Sequence, residues 1–125
     1  MLSQEQIEFF NQNGFLHLPQ MFSRVEMDEL EEHLDFLIRN WAQTDPGWSG
    51  PWCRVYMDPD TDKRSKLTHL HDLQFYSEAW LRGVTKHELV EAVSDLIGPN
   101  IELHHTTLHA KPPETGHPFP LHQDN

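Results

Sequence analysis

An α+β fold is predicted for this 125-residue chain, with helices gathered first and extended segments later. Three observations predict it. Capping signatures followed by apolar residues at helical spacing run up to residue 98; twofold alternation replaces that period from Asn100; and 37% hydrophobic content with seven Phe and four Trp marks a packed domain, not a disordered one.

Taken in order, Ser3 and Gln6 form a predicted capping box, Ile7, Phe9 and Phe10 supply apolar contacts, and Gly14 ends a short helix over about 4–13. Phe15-Leu16-His17-Leu18 then reads as a brief strand stopped by Pro19. Ser23 with Glu26 repeats the capping signature before a longer helix. Met27, Leu30, Leu34, Leu37, Ile38 and Trp41 recur along it at helical spacing, while Glu29, Glu31, Glu32 and Asp35 fill the remaining faces. Residues 43–65, rich in Pro and Gly, read as turns with a short strand near 52–57. Asp58, Asp60 and Asp62 alternate as at the start of a calcium loop, but the Gly and distal Glu of such a loop are missing, so calcium is not expected. After the Lys66-Leu67-Thr68-His69-Leu70-His71-Asp72-Leu73 segment comes a short helix around 77–82. Thr85 and Glu88 cap another, which carries Leu89, Val90, Val93, Leu96 and Ile97 and ends at Gly98-Pro99. The twofold period then predicts a long strand, with Ile101, Leu103, His105, Thr107, His109 and Lys111 on one face. Pro112-Pro113 breaks it, and Leu121 to Asp124 starts a second extended segment.

Charge narrows the function classes. Twenty acidic against nine basic residues give a formal net charge of -11, which repels nucleic acid and anionic lipid, and no apolar run approaches membrane-spanning length. No nucleic-acid or membrane partner is expected. A single cysteine, Cys53, precludes an internal disulfide framework, and the N-terminus has neither a basic segment nor an apolar signal region. An intracellular, cytoplasmic setting is expected, with an organelle address read by a receptor left open. Lys63, Arg64 and Lys66 hold three of the nine positive charges within four positions. They read either as an anion site or as a solvated loop.

Ten histidines are an enrichment, and His104, His105, His109, His117 and His122 fall in the last 22 positions. Neutral imidazole is the commonest transition-metal ligand and also suits proton transfer and carboxylate binding. In an extended segment His122 and Asp124 point to the same side, so imidazole and carboxylate can converge on one cation as two thirds of a facial triad. Alone, His-x-Asp occurs by chance in many proteins. A zinc hydrolase site is disfavoured because no His-Glu-x-x-His helix is present.

Gly98-Pro99-Asn100-Ile101, His105-Thr106-Thr107-Leu108, Lys111-Pro112-Pro113 and Pro120-Leu121-His122-Gln123-Asp124, in this order and spacing, closely resemble the phytanoyl-CoA dioxygenase family of Fe(II)/2-oxoglutarate oxygenases. The opening from Gln4 through Gly14-Phe15-Leu16 is similar to that family's start. The resemblance implies a single dioxygenase domain with helical support over about 1–98 and, over about 99–125, the start of a double-stranded β-helix (jelly-roll, cupin-like) core that is incomplete in this chain. It implies Fe(II) held by His122 and Asp124, with 2-oxoglutarate as co-substrate and ascorbate as an accessory reductant. Lys66 and Thr107 are implied to contact 2-oxoglutarate, and Gln123, between the ligands, to assist through its backbone or from behind the metal site. An ordinary strand threonine is the other reading of Thr107. The implied reaction couples decarboxylation of 2-oxoglutarate to succinate and CO2 with C–H hydroxylation of a small-molecule or acyl substrate by O2. The family's distal histidine and its arginine are absent from these residues, so the isolated segment is expected to be inactive. Trp48 and Trp52 read as core or lid packing or as a pocket lining. A metal-binding or interaction module without catalysis is the alternative function.

Overall fold

The computed structural model describes residues 1–45, 58–64, 67–111 and 113–114, and among them the architecture is α+β. In chain order the elements are α1 (Gln4–Asn13), α2 (Arg24–Asn40), β1 (Gln43–Asp45), α3 (Pro59–Arg64), β2 (Leu67–His71), a 3-10 turn (Leu73–Phe75), α4 (Glu78–Val84), α5 (His87–Ile97) and β3 (Thr107–Ala110). They fall into two compact units. The first holds Met1–Asp35 with Asp72–Thr106, and the second holds Phe36–His71 with the chain from Thr107 onward. The expected strand near 52–57, the segment 121–124, Trp48 and Trp52 lie outside the described residues.

In the first unit, both capping boxes form as the sequence predicts. Ser3 Oγ accepts from the Gln6 amide while Gln6 Oε1 accepts from the Ser3 amide. Ser23 and Glu26 exchange the same two bonds at 2.7 and 3.3 Å. Gly14 closes α1 with φ +78°, a left-handed conformation that costs a side-chain-bearing residue about 1 kcal/mol or more. Residues 15–18 are not a strand, because no neighbouring chain supplies a ladder among the described residues. Phe15 instead stands edge-on to Phe9, ring centroids 5.3 Å apart.

One stripe of α2 holds α4 and its flanks. Glu26, Glu29 and His33 follow one another at helical spacing, and they meet Lys86, Arg82 and Ser77 in reverse order, so the two segments run antiparallel. Lys86 Nζ reaches Glu26 Oε1 at 2.5 Å, Arg82 Nη2 reaches Glu29 Oε1 at 2.5 Å, and Ser77 Oγ lies 2.9 Å from His33 Nδ1. Between these contacts Gly83 approaches Leu30 so closely that an added Cβ would sit 3.3 Å from Leu30 Cδ2. Glu29, expected to fill a solvated face, is therefore a partner of α4. Ser77 is buried and also accepts from the Trp80 amide, capping α4. Thr85, expected to cap the next helix, closes α4 instead, its hydroxyl donating to Leu81 O at 2.7 Å. Lys86 takes the N-cap position of α5 without a side-chain bond, because an ammonium has no acceptor to offer the first amides, and its Nζ donates to Glu26 instead.

Thr106 anchors the 3-10 turn. Its carbonyl accepts from the Asp72 amide at 2.7 Å, and its hydroxyl accepts from the Leu73 amide at 2.9 Å and donates to Gln74 Oε1 at 2.6 Å. Asp72 sits at φ +58°, which Asp tolerates better than most residues, and its Oδ1 accepts from Gln74 Nε2.

The second unit contains a three-stranded antiparallel sheet in the order β1-β2-β3. Leu67 and Leu70, on opposite faces of β2, are 0% and 7% exposed, so the middle strand is covered on both sides. Asp58-Pro59-Asp60, expected to be a turn, opens α3. Asp58 Oδ1 accepts from the Asp60 amide at 2.9 Å, and Pro59 takes the first helical position, where its missing N–H costs nothing. The long strand expected over 101–111 is shorter than its alternation implied. Only Thr107–Ala110 find a partner strand, and residues 101–106 are not strand.

Two outcomes test this packing. The Lys86 ammonium, followed by the Ser23 amide, holds the Glu26 carboxyl down to about 2 from its ordinary 4.5. A carboxylate so depressed stabilises the fold above its unfolded value, and the contribution fades as pH falls from about 4.5 towards 2. Glu26→Gln should thus lower the melting temperature at pH 7, with the gap to the parent narrowing between pH 5 and pH 2 in thermal scans. Ser77→Ala removes a cap and the His33 contact, and should cost about 0.5–2 kcal/mol in urea unfolding.

Candidate functional site

The register of the sheet builds a face of imidazoles. Gln43 pairs with His69, His69 with His109, and His71 with Thr107. Directly opposed residues share a face, and so do residues two apart on one strand, so His69, His71, Thr107 and His109 stand together. The His71 ring lies 5.9 Å from that of His69 and 6.0 Å from that of His109, edge-on in both cases. His71 and Thr107 are exposed, while His69 and His109 are half-buried. Leu108 and Ala110 occupy the other face with Thr68 and Leu70.

Desolvation by burial, then proximity to His71 and to His69, pushes the His109 imidazole below its ordinary value. The shift favours the neutral form of His109, in which imidazole carries one N–H donor and one acceptor nitrogen. With the Thr107 hydroxyl, this face offers short-range donors suited to a carboxylate. No group of three His, Cys, Asp or Glu among the described residues is arranged to hold a metal ion.

Thr107 and His109 share a face as expected, but His105 does not join them. It precedes β3 and lies exposed, with its Nδ1 2.9 Å from His104 Nδ1. Lys66, His122, Gln123 and Asp124 lie outside the described residues. Of the Lys63, Arg64 and Lys66 cluster, Arg64 is exposed, and its Nε donates to the Asp60 carbonyl at 3.2 Å. His69 and His71 were not expected as site residues. Their signal is the His-x-His spacing on a segment with Leu67, Thr68 and Leu70, which marks one face of a strand once its partner is known.

The described residues thus combine helices packed by ion pairs with a small antiparallel sheet that carries a polar, imidazole-bearing face. The family model for phytanoyl-CoA dioxygenase matches residues 10–125, and the chain belongs to that family. The peroxisomal phytanoyl-CoA dioxygenase of Rattus norvegicus is 29% identical over 133 residues, covering 99% of this chain and 37% of the relative. That of Homo sapiens is 28% identical over 134 residues, with the same coverage. The chain thus spans about 37% of the length of these curated relatives. No solved structure matches it.

Histidine titration followed by NMR should place the His109 midpoint below that of an ordinary imidazole. Substituting His71→Gln should move the His109 midpoint upward, since a neighbouring positive charge is then no longer formed.

Proposed function

We propose that this chain is the N-terminal part of an Fe(II)- and 2-oxoglutarate-dependent hydroxylase domain of jelly-roll type, acting in an intracellular compartment. The observation that carries the reading is the family match through residue 125, which takes in His122-Gln123-Asp124. His122 and Asp124 are the proposed iron ligands, with the third contributed by residues outside this segment. Iron with 2-oxoglutarate and O2 supplies, when bound, the oxidising power for C–H hydroxylation, with succinate and CO2 released.

The described residues contribute on the co-substrate side. Thr107 directs its hydroxyl from the face that also bears His69, His71 and His109, and Lys66 immediately precedes β2. These are N–H and O–H donors of the kind that orient a carboxylate, and the pairing of Thr107 with His71 across the strands limits how far its side chain can shift. Gln123 is proposed to support the ligands on either side of it. A small-molecule or acyl substrate is proposed to dock next to this site.

The test uses the full-length protein with Fe(II), 2-oxoglutarate and a panel of acyl and small-molecule substrates, with succinate release as the readout. His122→Ala and Asp124→Ala should each cut release to below a hundredth, beyond the ~10–100-fold typical of residues that only support a metal ligand. Thr107→Val should raise the 2-oxoglutarate KM by about 2–12-fold, the worth of one hydrogen bond. Succinate release unaffected by either ligand substitution, or its absence in the full-length protein, would sink the reading in favour of a non-catalytic module.

A further inference from the structure

We propose that His71 takes up one proton when a dicarboxylate docks beside Thr107, so that co-substrate binding on this sheet face tightens as pH falls. The inference rests on the reading of that face as the 2-oxoglutarate site.

The geometry singles out His71. It is the exposed member of the cluster, it pairs with Thr107 across the strands, and its ring contacts both of the others. From β1, the residues at the register positions of His69 and Leu67 are Gln43, which is uncharged, and Asp45, which is acidic. From β3 the same face carries Thr107 and His109, with exposed Lys111 two positions beyond His109.

The His71 ring lies about 6 Å from the rings of both His69 and His109, and a proton on one imidazole disfavours a proton on its neighbour. Burial disfavours the charged form of His109, and of the three rings only that of His71 is exposed to take a proton from solvent. A dicarboxylate beside Thr107 adds negative charge within reach of the His71 ring, and this stabilises its imidazolium and raises its pKa. The proton comes from solvent and leaves with the ligand, so no group in the site is consumed. Uptake is limited to one proton, and affinity should therefore weaken by up to ~10-fold per unit rise in pH above neutrality.

Isothermal titration of the full-length, Fe(II)-loaded protein with 2-oxoglutarate, anaerobically and in buffers of different ionisation enthalpy, measures the uptake directly. The expected result is close to one proton in the parent, close to none in His71→Gln, and the parent value in His87→Gln, which alters an exposed histidine on α5. Parent spectra should also show the His71 ring-proton resonance moving towards its protonated position as ligand is added at pH 7.5, a readout that needs no variant. Binding without proton uptake, or uptake unchanged in His71→Gln, overturns this proposal and leaves the co-substrate reading standing. Failure of 2-oxoglutarate to bind at all overturns both.

Discussion

The pairing of β2 with its two neighbours decides which side chains can act together in the second unit. Side chains on a strand alternate with a period of two, so a slip of one residue would carry His69 and His71 to the face of Leu108 and Ala110 and leave Thr107 without imidazole neighbours. Leu67 and Leu70 oppose that slip. They are three apart, on opposite faces, and both are buried. Moving either into water would cost about 1.5–3 kcal/mol. The polar face is thus held by apolar contacts that take no part in the chemistry.

In the first unit a similar division of labour runs along α2. Leu30 approaches Gly83, while Glu26, Glu29 and His33 reach the flanks of α4 at Lys86, Arg82 and Ser77. Glu26 combines two tasks, since its Oε2 closes the capping box with Ser23 and its Oε1 receives Lys86. Lys86 also lies 5.3 Å from the centre of the Phe22 ring, so the ammonium is held by a carboxylate and an aromatic face at once. The helix start and the helix pairing are therefore coupled through one side chain.

Elements governed by local chemistry were legible in the sequence, and those governed by a distant partner were not. The two capping boxes and the Gly14 stop involve residues at most four apart, and the structure reproduces them. Asp58-Pro59 was also local, but its residues serve turns and helix starts equally, and the run of aspartates favoured the turn. β1 has only three residues, too short to show a period, and exists because β2 pairs with it. In β2 the buried leucines fall three apart, which obscures the twofold rhythm. Alternation over 101–111 overstated β3, because β2 supplies partners only for residues 107–110. At the site, Thr107 and its companion His109 were legible from alternation alone. His69 and His71 were not, since nothing local says which strand lies opposite Thr107.

Charge gives the imidazole face its weight. A chain with a formal net charge of -11 repels any dianionic ligand at long range. At physiological ionic strength that repulsion is screened beyond roughly 8 Å, so affinity must come from donors in direct contact. Fixed positive charge would serve, but only nine of the 125 residues are Lys or Arg, and within the first unit Arg82 and Lys86 are already paired with glutamates. Imidazoles meet the need in another way. Adjacent imidazoles disfavour one another's protonation, whereas an anion at the same face favours it. Clustering them on a single sheet face therefore couples positive charge there to the arrival of an anion.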